Sequence, residues 1–380
     1  MNVPRALLAL CAAAATLALG GCAGDMEAGA PPAAGRYGGA IEGSVAPEFA
    51  GLGPWLNGEP VTIAALAAED RVVLVDFWTY TCVNCLRTLP FLADWHEKYA
   101  GRGLTIVGVH APEFEFEKDP QNVARAVRDL GVAYPVAQDD DWLTWEAFAN
   151  NVWPAKYLVG ADGTIVYRHF GEGDYLETEG AIRAALTEAG HDVSDIALGG
   201  VATPELDPDV QGITRELYFG YERNYHPSGV YAAQDAYYEG PDLVLHYDDP
   251  GPPRSHNQWY AHGAWLNERE GLVHARATDD LGDYIAFRFA GRTVNPVLHP
   301  PPGGEPAEVV VLLDGAPLTP EQAGADVTFE DGRSLVRVDE PRMYRVVELP
   351  ALGDHELRLA SDAEGFAIYA VTFGAYLEGP

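Results

Sequence analysis

A near-continuous apolar run, Arg71–Trp78, leads within three residues into Cys82-Val83-Asn84-Cys85. Such a run suits a strand buried on both faces of a parallel sheet. Beyond it Leu86, Leu89, Leu92, Trp95 and Tyr99 recur close to helical spacing, which predicts a helix over Cys85–Ala100. A cysteine where such a helix begins meets unpaired backbone N–H groups and the positive end of the helix dipole. Both favour the thiolate, the nucleophilic form. A spacing of three residues puts the second sulfur on the same side, within disulfide reach. The pattern therefore assigns Cys82 as the attacking thiol and Cys85 as the thiol that resolves a mixed disulfide.

A C-x-x-C is also half of a zinc site, but a closed site needs two more ligands at suitable spacing. The chain has no second cysteine pair, and His96 is expected on the helix surface. No metal is assigned. Asp76 lies inside the buried strand, where desolvation raises a carboxyl pKa. It is placed to exchange protons with Cys85 through water. Pro90 falls inside the helix and predicts a kink. Trp153-Pro154 precedes a strand at Ala155–Val159, a setting for a cis peptide bond. With Trp78, these two residues are the expected docking edge for a partner's cysteine.

The surrounding pattern alternates strand and helix. A second buried strand is expected at Leu104–Val109, and helices at Pro120–Leu130, Trp142–Asn150 and Leu176–Ala189. A hairpin turns at Ala161-Asp162-Gly163. This alternation implies a sheet covered on both faces. A linker is expected over 191–206. Past it long helical patterns stop, and short alternating runs such as Ile285–Phe289 and Leu335–Val338 predict an antiparallel β-sandwich or jelly roll.

The N-terminus reads as an export signal. Arg5 precedes an apolar stretch, Ala6–Leu19, which is shorter than the roughly 20 residues of a spanning helix. Leu19-Gly20-Gly21-Cys22 resembles a bacterial lipobox, in which the cysteine is lipidated and becomes the mature N-terminus. That gives a signal peptide over 1–21 and a Gly/Ala/Pro-rich tether over 22–43. Anchoring by two or more acyl chains is stable, at about 0.8 kcal/mol per buried CH₂. Cys11 leaves with the signal and Cys22 carries lipid, so Cys82 and Cys85 remain as the thiols of an extracytoplasmic chain. The 57 acidic residues outnumber the 24 basic ones, for a net charge of −33. That balance argues against nucleic-acid partners and against electrostatic adhesion to anionic lipid.

Asp76, Phe77-Trp78, the C-x-x-C, Pro90 and Trp153-Pro154 together resemble the thioredoxin superfamily. Longer stretches, among them Trp55–Pro60, Val109–Phe114, Trp153–Leu158 and Gly171–Tyr175, are similar to the TlpA-like branch and to the extracytoplasmic portion of DipZ-type proteins. Glu216–Tyr221, Asp314-Gly315, Pro341–Tyr344 and Thr372–Gly374 look like landmarks of the carbohydrate-binding-module-like sandwich that follows in such proteins. The resemblance implies an α/β thioredoxin fold over 44–190 and an all-β sandwich over 207–380. It implies dithiol–disulfide exchange outside the cytoplasm, in the direction of reducing cysteine-containing proteins, with no cofactor beyond the redox-active cysteines. It makes Glu113 a supporting acid near the disulfide and a carbohydrate a candidate ligand of the sandwich. Full DipZ-type proteins relay electrons through a polytopic membrane domain. A separate membrane electron donor is therefore expected here.

Two rival readings differ in class. A thiol peroxidase places its cysteine in P-x-x-x-T-x-x-C; Thr79 fits, but position 75 is Val. A ligand-binding lipoprotein would keep the thioredoxin domain only as scaffold and stack sugars on Trp259, Tyr260 and Trp265. Buried aromatics in a sandwich are more often core.

Overall fold

In the first half, the apolar strand becomes the centre of a six-stranded mixed sheet. The computed structural model describes residues 40–208, 210–224, 230–377 and 379. Cys11, Cys22, the 1–21 signal and most of the 22–43 tether lie outside the described residues. The first half comprises β1 (Trp55–Leu56), α1 (Ile63–Ala67), β2 (Val72–Trp78), α2 (Val83–Tyr99), β3 (Leu104–His110), α3 (Pro120–Asp129), β4 (Val136–Gln138), α4 (Leu143–Ala147), β5 (Ala155–Val159), β6 (Ile165–Phe170) and α5 (Tyr175–Glu188). The sheet order is β1-β4-β3-β2-β5-β6. β2, β3 and β4 run parallel, while β1, β5 and β6 pair antiparallel. Every residue of β2 is buried, which explains why its sequence is apolar without alternation.

α2 starts two residues before the predicted position because Cys82 caps it, its Sγ accepting the Cys85 N–H at 3.3 Å. Its buried face packs Leu89, Leu92, Trp95 and Tyr99 against β2 and β3, while Pro90 is exposed. His96 is half-buried against Tyr134 rather than on the surface. α3 begins as expected, with Asp119 accepting the Gln121 N–H and Pro120 at the first helical position. α4 is shorter than Trp142–Asn150 because Trp142 and Ala149 both adopt left-handed backbone, at φ 62° and 47°. Those two residues bound the helix. The β5–β6 hairpin turns where expected, at Asp162 and Gly163, with Asp162 Oδ1 accepting the Thr164 N–H.

The 191–206 segment packs back on the first half. Arg183 donates to the Ile196 carbonyl, Lys98 to that of Gly199, and Val193 joins the core under α2.

The second half holds strands β7 (Leu217–Tyr218), β8 (Val244–Tyr247), β9 (Trp259–Asn267), β10 (Leu272–His274), β11 (Tyr284–His299), β12 (Ala307–Leu313), β13 (Ala316–Pro317), β14 (Val327–Glu330), β15 (Arg333–Val338), β16 (Arg342–Met343), β17 (Val347–Ala360) and β18 (Ala367–Gly374). Two four-residue helices, α6 (Tyr221–Asn224) and α7 (Ala236–Glu239), lie between β7 and β8. All strand pairings are antiparallel. The sandwich is built by long strands that change partner. The first part of β11 pairs with β9, and its second part pairs with β18. The register against β17 shifts between Gly291 and Thr293, where an irregularity bends the strand. One hydrogen-bonded network thus folds over an aromatic and aliphatic core that includes Trp259, Trp265, Phe287 and Leu357. Trp259 and Trp265 are fully buried, so neither offers a stacking surface. Among the described residues, no helix is long and apolar enough to cross a membrane, and no cluster of His, Cys, Asp and Glu has the arrangement of a metal site.

Candidate active site

β2 delivers the chain to the dithiol. It ends at Trp78, a short loop follows, and Cys82 caps α2. Cys82 is half-exposed; Cys85 is fully buried one turn behind it, and the two sulfurs are unlinked. The Cys82 Sγ lies in the positive field of the α2 N-terminus and accepts an N–H there. Burial pushes the Cys85 thiol well above its ordinary range, and the sulfur of Cys82 and the charge of Asp76 add to the shift. The two cysteines are thus differentiated by position: one half-exposed at the helix cap, where its sulfur accepts an N–H, the other buried and held protonated.

Asp76 has no exposure, and β-sheet register sets it directly opposite Lys156 of β5. Their charged atoms lie 3.8 Å apart, both fully buried. Burial raises the Asp76 pKa to about 6, with Lys156 pulling the other way. Burial likewise lowers that of Lys156. The expectation of a desolvated acid behind Cys85 therefore meets a structure in which the acid has a buried basic partner. Lys156 was not singled out from the sequence, although a lysine inside the otherwise apolar Ala155–Val159 was its signal. Tyr134 is buried as well, close enough that Asp76 and Cys85 both act on its hydroxyl electrostatically. Gly108 makes room for this arrangement: a side chain there would press on the Trp78 indole nitrogen and the Tyr134 ring.

The loop before Cys82 is tied down by an acid, and that acid is Glu117 rather than Glu113. Glu117 Oε1 accepts the hydroxyls of Thr79 and Thr81 at 2.5 and 2.6 Å, and Oε2 accepts backbone N–H groups of Glu113 and Phe114. Burial and the nearby Glu113 charge raise its pKa to about 7, against the pull of its bonds to Thr79, Thr81 and Phe114. His110 lies 3.3 Å from the Thr79 hydroxyl and stacks on Tyr80; burial drops its pKa to about 3, so it is neutral. Glu113 instead turns to the second half, where it accepts from the Tyr218 hydroxyl and pairs with Arg223. The two acids stand four residues apart on one loop, and only the fold decides which points inward.

The docking residues divide. The Trp153-Pro154 peptide is cis, as expected. Trp153 is half-exposed; its indole N–H donates to the Ala111 carbonyl at 3.1 Å and its ring packs on Trp145. Pro154 is buried. Trp78 has no exposure and sits edge-on to His110, so it supports the loop from beneath and cannot touch a partner. In the sandwich, Asp249 is bound to Arg254 and to the Tyr284 hydroxyl, which occupies the carboxylate with protein donors.

Against known proteins, residues 43–168 match the AhpC/TSA family and residues 214–374 match the family described as thioredoxin like C-terminal domain. The thiol-disulfide oxidoreductase YkuV of Bacillus subtilis is 33% identical over 127 residues, which are 33% of this chain and 82% of YkuV. The chain belongs to the thioredoxin-like family. Protein DipZ of Mycobacterium tuberculosis is 34% identical over 291 residues, 75% of this chain but 39% of DipZ, so the chain spans well under half of that relative. A thiol:disulfide interchange protein from Chlorobium tepidum is 22% identical, with 40% of this chain and 99% of that one covered at a TM-score of 0.32. Relatives that share the first half include proteins named as thiol-disulfide oxidoreductases, YkuV and ResA of Bacillus subtilis.

Proposed function

We propose that the chain is a membrane-anchored, extracytoplasmic thiol–disulfide oxidoreductase that reduces disulfides of cysteine-containing proteins. The observation that carries this reading is the asymmetry of the dithiol, with Cys82 half-exposed at the α2 cap and Cys85 buried behind it beside Asp76. The Cys82 thiolate attacks one sulfur of the partner's disulfide, and the partner's other sulfur leaves as a thiolate. The Cys85 thiol then gives its proton toward Asp76 and attacks the Cys82 sulfur. The partner's second thiolate departs. The partner gains two electrons and the chain is left with a Cys82–Cys85 disulfide. A separate membrane protein returns the two electrons. Trp153, with the cis Pro154 turn, forms the edge on which the partner's cysteine segment lies. Lipidation at Cys22 holds the mature chain at a membrane, and a carbohydrate ligand of the sandwich remains a compatible addition.

The test is trapping. A Cys85→Ser chain mixed with a disulfide-linked peptide accumulates a covalent adduct at Cys82, visible as a mass increase that dithiothreitol removes. A Cys82→Ser chain forms none. Adducts on Cys85 in place of Cys82 reverse the assigned roles.

A further inference from the structure

The second half of the chain reaches the dithiol itself. Val83, the residue between the cysteines next to Cys82, is only 5% exposed, and what buries it is a cluster of Phe114 with Val297, Met343 and Ala370 of the sandwich. Tyr369 of β18 stands edge-on to both Phe114 and Phe116, at 5.2 and 4.9 Å between ring centres. Two polar contacts flank this apolar seam. On one side Glu113 joins Arg223 and the Tyr218 hydroxyl. On the other, Arg87, one helical turn past Val83, pairs with Glu172 at 2.7 Å and lies 4.6 Å from the Tyr376 ring. Around the cysteines, Cys82, Asn84 and Trp153 are left half-exposed. All of these residues belong to one compact unit.

We propose that the sandwich is the second wall of the dithiol site and selects partners by shape, admitting a disulfide carried on an extended segment and excluding one set in a flat protein surface. This rests on the oxidoreductase reading above. A free thioredoxin-like α2 N-terminus would present Val83 and its neighbours to a partner. Here that face is already occupied by side chains from β11, β16 and β18, so a partner approaches only past Asn84 and Trp153. A thin chain fits such an approach; a broad surface collides with the sandwich. Selection of this kind works by exclusion of the wrong partner.

The experiment compares three disulfides on the reduced full chain: bis(2-hydroxyethyl) disulfide, two unstructured peptides joined by one disulfide, and native insulin. Two variants open the wall from the sandwich side, Met343→Ser in the apolar seam and Arg223→Gln at the milder polar contact. Hydrogen exchange at the Val83 amide reports the opening. The expected result is faster Val83 exchange and a peptide-to-insulin rate ratio that narrows by about tenfold, with the hydroxyethyl rate unchanged. A ratio that stays at the wild-type value in either folded variant overturns the wall. An unmodified chain that leaves bis(2-hydroxyethyl) disulfide intact overturns the oxidoreductase reading instead, so the two failures are distinct.

Discussion

Asp76 is the residue where chemistry and stability meet. Its folded pKa of about 6 stands above the ordinary 3.8, so the folded chain holds that proton more tightly than the unfolded chain. The sign follows from linkage: the contribution of the neutral acid is fully present below pH 3.8 and is lost as pH rises through 6. At neutral pH the buried charge is a cost. Asp76→Asn is therefore expected to raise unfolding free energy at pH 7 by roughly 1–3 kcal/mol, the upper end being the full shift at 1.36 kcal/mol per pKa unit, with Lys156 left unpaired setting the lower end. Urea titrations at pH 4 and pH 7 check this, because the gain vanishes at the lower pH. The same variant is expected to slow release of the mixed disulfide by about 10²-fold, the scale of a lost general base. Peptide-adduct decay measured by quenched mass spectrometry reads that step separately from adduct formation. The burial of this residue was legible in the sequence, since a lone carboxylate inside Arg71–Trp78 has nowhere wet to go. Lys156 was not, because pairing across β2 and β5 depends on a register that neither strand states alone.

At the scale of elements, the β2–loop–α2 unit depends on a carboxylate from a different loop. Glu117 satisfies two hydroxyls and two amides while fully buried. Glu117→Gln replaces one accepting oxygen with a donor that faces other donors, and the expected loss is about 1–3 kcal/mol, the cost of buried polar groups left unmatched. Thermal unfolding at pH 8, where the wild-type acid is ionised, reads the loss. The amide-exchange rates of Thr79–Cys82 are expected to rise with it. The alternation of strands and helices and the position of the cis turn were readable from pattern because periodicity and proline chemistry are local. The choice between Glu113 and Glu117 was not local. Nor was the turn of β11 from β9 to β18, since each partner of a long strand is a segment distant in the chain. Trp78 was misplaced for a similar reason: its neighbour His110 on β3, set opposite by parallel register, closes over it.

For the whole molecule, the two halves meet over a cluster with an odd proton count. The Tyr218 hydroxyl lies 3.0 Å from Glu113 and 2.7 Å from Glu216, yet a phenol has one proton to donate. Both contacts are satisfied when one carboxyl is protonated, and burial beside Glu113 raises the Glu216 pKa to about 7, against the pull of Arg223. A raised acid stabilises below its unfolded pKa and loses that contribution as pH rises through 7. The contact between the halves is therefore expected to loosen between pH 6 and pH 8. Glu216→Gln, which keeps a donor without a charge, flattens that dependence; Val83 amide exchange across the pH range measures it. The excess of acidic residues was legible in the sequence, but this cluster was not, because it needs two distant segments brought together.

The central claim is that Cys82 and Cys85 form a reversible couple that gives electrons to partners. Its most direct test is the equilibrium of the full chain against glutathione, with thiols trapped and weighed by mass spectrometry and Cys82→Ser as control. A single two-electron transition is expected at about −270 mV, the poise of a reductant, absent from the control. A transition at about −120 mV, the poise of a strong oxidant, contradicts the direction of electron flow, and the absence of any transition contradicts the oxidoreductase itself.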